Sequence, residues 1–127
     1  MALTNAGRNF IAQAIINDSS PNFFTNALAH IGTGDNSTAF AATQTDLQAP
    51  TNKLRKAMDA LYPIRATNEI TFQSTYSTSE GNYVWREWGV FNAASGGTML
   101  NRKVETLGTK TATQAWQINV TLTVVAA

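Results

Sequence analysis

The chain has 127 residues, 43% of them hydrophobic and only 13% charged, with a formal net charge of +1, one histidine and no cysteine. That length suits one domain, residues 1–127, around one core, and the weak charge gives no field to gather nucleic acid or an anionic membrane. Disulfides, thiolate chemistry and Cys-ligated zinc are excluded, no apolar run approaches the ~20 residues of a membrane span, and Met1 to Asn5 lacks the basic start and apolar block of a secretory signal, which predicts synthesis in a cytoplasm.

Leu3, Ala6, Phe10, Ile11, Ala14 and Ile15 recur at three- and four-residue spacing, which predicts one apolar stripe on a helix over about 4–17. Thr4 is a suitable N-cap, and Asn17 to Pro21 stops the helix. Gly7 weakens it by about 1 kcal/mol relative to Ala. Leu28 to Thr33 reads as a short strand, with a turn at Gly32 to Asn36. An Ala- and Thr-rich loop with Leu47 as apolar anchor runs to Pro50. Lys53 to Leu61 fits both helix and strand periods, and the extended character of the segments after it favours strand. Ile70, Phe72, Ser74 and Tyr76 alternate with Thr71, Gln73 and Thr75 as in a strand. After a turn at Thr78 to Asn82, Tyr83 to Asn92 forms an aromatic-rich strand. Strict alternation puts Tyr83, Trp85 and Phe91 on one face and Val84, Trp88 and Val90 on the other, so both faces are covered. Ala93 to Gly97 turns into a strand over Thr98 to Val104, and Leu107 to Lys110 leads into the last strand, Trp116 to Val124. There Trp116, Ile118, Val120 and Leu122 face the core, and Gln117, Asn119, Thr121 and Thr123 form an uncharged polar face. The pattern predicts a mainly β fold, an antiparallel β-sandwich or barrel-like domain with one N-terminal α-helix and a β-rich body over about 27–125.

Few residues suggest chemistry. His30, Ser37 and Asp35 crowd one short loop, too close for a triad, and one His with Asp35 and Asp46 is too few ligands for zinc. Gly32-Thr33-Gly34 lacks the third glycine of a dinucleotide loop and is accounted for by turn chemistry. Glu80, Glu87 and Glu105 lie among aromatics, as carboxylates do in glycosidases and sugar-binding grooves. Glu87 and Arg102, however, sit on segments expected to pair, which makes a structural ion pair the stronger reading. No catalytic residue, metal or cofactor is expected. The candidate contact surface consists of Tyr83, Trp85 and Trp88, since Trp is enriched at binding hot spots, together with Asn119 and Thr121 on the uncharged face. Those features predict a cyclic homo-oligomer. Loops Gly32 to Asp46 and Ala93 to Gly97 are expected to adapt to neighbours.

Ile31-Gly32-Thr33-Gly34 and Ala41 to Leu47, followed in order by Glu69-Ile70-Thr71-Phe72, Thr78 to Asn82, Trp85 to Ala93 and Gly97 to Arg102, resemble segments of small accessory virion structural proteins of tailed bacteriophages. The resemblance spans most of residues 28–124. It implies a location in the virion, partners among other virion proteins (major capsid or tail proteins), no enzymatic activity, and a trimer as the homo-oligomer. Nucleic acid and membrane are not expected partners. The sequence stops at Ala127, where a fibre would continue into a shaft. That ranks a capsid decoration, or cement, protein first, and a tail-collar, baseplate or fibre-attachment protein, with or without a glycan-binding role, second.

Overall fold

The computed structural model describes residues 2–127. The elements are β1 (Ala2–Leu3), α1 (Asn5–Ile16), β2 (His30–Gly34), β3 (Lys53–Ala57), β4 (Ile64–Ala66), β5 (Glu69–Tyr76), β6 (Val84–Phe91), β7 (Met99–Thr109) and β8 (Trp116–Thr123). They make two antiparallel sheets, one of five strands in the order β1-β7-β6-β2-β3 and one of three in the order β4-β5-β8. Neither closes into a barrel.

The period-2 strands supply the core between the sheets. Phe72 and Tyr76 from β5, Ile118 and Val120 from β8, and Ile31, Trp85, Trp88, Val90 and Leu100 from the larger sheet form one buried cluster. Trp116 and Leu122 pack against it while partly exposed. A second buried cluster, Leu47, Phe91 and Met99, lies apart from the first. Strand β6 is thus covered on both faces, and its second cover is the chain's own residue 36–50 segment.

Strict alternation fails once in β6. Between the pairs Trp85–Gly108 and Glu87–Val104, one residue of β6 stands opposite three of β7. This irregularity re-aims the strand. Trp85 therefore joins Trp88 and Val90 in the inter-sheet core, and does not share a face with Phe91 as alternation predicts. Strand β7 also runs to Thr109, past the Val104 end expected from the sequence, because Gly108 and Thr109 still pair with Trp85 and Val84. Strand β3 stops at Ala57, and the three-residue β4 was not visible in the sequence.

Helix α1 forms as its sequence predicts but docks differently. The Thr4 hydroxyl accepts from the Gly7 amide at 2.9 Å, the N-cap bond, and donates to the Met99 carbonyl of β7 at 2.5 Å. Asn17, left-handed at φ 52°, closes the other end. Only Gly7 and Phe10 are buried on the helix. Phe10 packs edge-on against Phe24, centroids 4.9 Å apart. Ile15 and Ile16 are 78% and 74% exposed, so the predicted stripe is covered only in its first half. The contact made through Gly7 explains this. A Cβ there would overlap the Leu100 carbonyl oxygen, so the missing side chain lets the first turn lie on β7.

Gly7→Ala would raise helix propensity by about 1 kcal/mol in an exposed helix. Here it is expected to lower stability by roughly 1–3 kcal/mol through overpacking, read as a lower urea midpoint.

Candidate interaction surfaces

Strands β6 and β7 bring Glu87 and Arg102 together with no solvent exposure of either side chain. Arg102 Nε donates to Glu87 Oε1 at 2.8 Å. The same carboxylate accepts the Gln48 amide at 2.7 Å and the Ala49 amide at 2.8 Å. Arg102 Nη1 donates to the Thr38 carbonyl at 2.9 Å and to Gln44 Oε1 at 3.2 Å. Both charges are thus spent on clasping residues 38–49 to the sheet. The glycines of β2 belong to this arrangement, not to a phosphate loop. A Cβ at Gly34 would lie 2.5 Å from Glu87 Oε2, and one at Gly32 would lie 2.8 Å from the Phe91 ring.

Arg55 extends the clasp. Its guanidinium stacks 3.6 Å above the Phe91 centroid. It also donates to the carbonyls of Ala93 and Gly96 at 3.0 and 2.8 Å and to Asp46 Oδ1 at 3.1 Å. Lys53 reaches the other Asp46 oxygen at 3.2 Å. Partial burial would raise the Asp46 pKa, but hydrogen bonds from Arg55, the Leu47 amide and Lys53 outweigh it and hold the carboxyl below its usual range. The two loops expected to adapt to neighbours are therefore tied to each other. The basic cluster of β3 is likewise paired internally, since Lys56 grips Glu80 with both oxygens at 2.9 Å.

The aromatic residues stack inward. Tyr76 meets Trp85 at 4.7 Å, and Trp85 meets Trp116 at 5.1 Å, both edge-on. Trp85 is 2% and Trp88 8% exposed, so both rings are largely taken up in the subunit's own core. The reason is the irregularity in β6, which turns Trp85 into the core. Tyr83 is partly buried, with its hydroxyl 3.0 Å from the Thr33 carbonyl. Burial is the main cause of its raised pKa. Trp88 Nε1 donates to Glu105 Oε1 at 3.0 Å. That bond, with Lys103 beside it, lowers the Glu105 pKa. A cleft of about 440 Å³ opens where Trp85, Trp88, Glu105, Leu107, Trp116 and Asn119 meet. Asn119 thus shares one cleft with Trp85 and Trp88, whereas Tyr83 and Thr121 do not line it. Thr121 stands on the exposed face of β8, its hydroxyl 3.4 Å from that of Thr71.

His30 Nδ1 lies 2.8 Å from the Leu28 carbonyl, and Asp35 accepts from Asn52 at 2.8 Å. Among the described residues no group of three or more His, Cys, Asp or Glu is placed to hold a metal ion, and no helix is long and apolar enough to cross a membrane. The groups that sequence reasoning missed are mostly backbone ones, the amides of Gln48 and Ala49 and the carbonyl of Thr38. Residue types carry no signal for them.

A two-sheet β fold whose charged side chains are largely absorbed in holding its own loops defines a structural module. Residues 1–124 match the family described as phage tail-collar fibre protein, N-terminal. The match covers nearly the whole chain, and the chain belongs to that family. No curated protein matches it. The family supports a structural protein of the tailed-phage virion. It also supports the tail-collar or fibre reading that ranked second in the sequence over the capsid decoration reading that ranked first. The end of the sequence at Ala127, which favoured decoration, carries no weight beside a match to an N-terminal domain.

Two outcomes are expected from the ion pairs. Glu87→Ala leaves Arg102 buried and unpaired, which is expected to cost about 3–5 kcal/mol and to speed hydrogen exchange at the Gln48 and Ala49 amides. Glu80, held by Lys56 and the Ser77 amide, has its pKa lowered from 4.5 to about 2. A carboxyl depressed in the folded state stabilises above its unfolded pKa and loses that contribution as pH falls through the folded one. The stability difference between wild type and Lys56→Met is therefore expected to shrink between about pH 5 and about pH 2, in thermal melts. It is small throughout, because the pair is partly exposed to solvent.

Proposed function

We propose that this chain is the folded N-terminal base of a collar fibre, holding it in the tail through contacts with other tail proteins and without turning over a substrate. The family match over residues 1–124 carries the reading. The surface suits it. Ile11, Ile15 and Ile16 leave an apolar strip on α1 that a protein partner would cover. The net charge of +1 offers nothing for DNA or an anionic bilayer. The protein is made in the host cytoplasm and incorporated during particle assembly.

Gold labelling of an epitope-tagged copy on particles tests the placement. Label is expected at the tail, and particles lacking the protein are expected to keep full, heat-stable heads while losing adsorption to cells. Label over the head, with DNA release at lower temperature when the protein is missing, would return the protein to capsid decoration. Ile15→Asp with Ile16→Asp is expected to leave circular dichroism unchanged and to abolish incorporation into particles.

A further inference from the structure

Bulky residues rarely take the left-handed backbone region, because the side chain crowds the neighbouring carbonyl. Leu61 does so, at φ 72°. It is also 85% exposed, more than any other large hydrophobic residue described. It occupies the third position of a tight turn, in which the Tyr62 amide donates to the Asp59 carbonyl at 3.1 Å. Where that position has a positive φ, turn chemistry favours Gly or Asn. A leucine there costs backbone energy, and with its side chain in solvent it recovers little by packing within the subunit.

The turn is fastened from two sides. The Asp59 amide donates to the Gln73 carbonyl at 2.8 Å, and Asp59 Oδ2 accepts from Gln73 Nε2 at 2.9 Å and from Thr75 Oγ1 at 2.7 Å. Asn26 Nδ2 donates to the carbonyls of Asp59 and Tyr62 at 3.0 and 2.7 Å. These bonds over-determine the backbone, which is how a strained residue persists, so Leu61 is presented in one fixed place. Strand β4 continues the same arm. Ile64 is 43% exposed, and Thr67, left-handed at φ 54°, turns the chain into β5. Arg65 is exposed and is the only charged residue from Ala60 to Asn68. Its Nη1 donates to the Thr67 carbonyl at 2.9 Å, and it enters none of the ion pairs among the described residues.

We infer that residues 59–67 form a recognition arm. Leu61 is a rigid knob that enters an apolar socket on a neighbouring tail protein, and Arg65 meets a carboxylate at the socket's rim. The inference rests on the tail reading above and adds a second contact to the strip on α1. The unpaired guanidinium selects an acidic rim, because a cation covered by a partner without an opposite charge weakens binding. The fixed backbone argues for a folded partner with a preformed socket, since a knob already held in place loses little freedom on docking. An aliphatic side chain has no ring face for a sugar, and one arginine is too little charge to hold an anionic bilayer.

Tails from particles assembled without this chain are the probe, and the purified, fluorescently labelled chain is titrated onto them. Leu61→Gly and Leu61→Asn suit the left-handed turn and remove the knob. Both are expected to keep the circular dichroism spectrum and a urea midpoint at or above that of wild type, while the dissociation constant rises by about tenfold or more. Arg65→Gln is expected to weaken binding less and to flatten its dependence on salt. Unchanged affinity in both Leu61 variants overturns the knob. So does a lowered urea midpoint in both, which would make Leu61 a prop of its own fold. Wild-type salt dependence in Arg65→Gln overturns the acidic rim. A wild-type chain that binds isolated heads and not tails overturns the tail reading instead, and the same Leu61 variants titrated onto heads then decide the arm. A wild-type chain that binds neither overturns both.

Discussion

The outer face of the five-stranded sheet depends on the Glu87–Arg102 pair. A carboxylate and a guanidinium buried without solvent are costly unless every lone pair and proton finds a partner. Here most do. Glu87 accepts from one side chain and two backbone amides, and Arg102 gives its remaining bonds to a carbonyl and an amide oxygen of the covering segment. Arg102 Nη2 is left without a partner. The pair therefore does more than bridge two strands. It converts an Ala- and Thr-rich loop into a lid over Phe91 and Met99, anchored by Leu47. Gly32 and Gly34 are its steric counterpart, because a side chain at either would strike the ring or the carboxylate beneath the lid.

Strand β7 is the common support. It supplies Arg102 to the lid, the Met99 and Leu100 carbonyls to Thr4, and the backbone surface on which Gly7 rests. Lid and helix also touch directly, since the Asn5 amide donates to the Ala42 carbonyl at 2.8 Å. The two coverings of the larger sheet are therefore coupled, and loosening either exposes the other's seam. The smaller sheet has no such cover on its polar face, where Gln117, Asn119, Thr121 and Thr123 remain exposed.

How much was legible in the sequence depends on the range of each signal. Strands β5 and β8 were clear because a period of two over eight residues is a local property, and Phe72, Ser74, Ile118 and Val120 point inward as read. The Thr4 cap was clear for the same reason. Glu87 and Arg102 could be paired in advance because both sit on strands whose adjacency is set by the turn between them. Trp85 was misassigned because the irregularity that turns it inward lies in the register with β7, which no local pattern encodes. Gly7 was read for its propensity, although its role is set by the carbonyl of Leu100, far along the chain. Leu47 was legible as the loop's apolar anchor, but the polar hold on the lid was not, because it runs through backbone amides, which are alike in every residue. The aromatic residues suggested a contact surface by type alone, and residue type carries no sign that Trp85 and Trp88 are largely buried in the subunit.

The attachment of the first helix to β7 also sets an order of events during synthesis. The bond from Thr4 to Met99 spans 95 positions, so the first elements to leave the ribosome have only near neighbours such as Phe24 and Ala42 to meet until β7 emerges. Closing such long loops early is entropically unfavourable, and folds dominated by distant pairings form slowly. The β2–β3 pair can assemble sooner, while Phe10 and the isoleucines of α1 remain in solvent. The nascent domain thus spends most of its translation with its one helix off the sheet, and that helix is seated only when β7, nearly at the end of the chain, has been made.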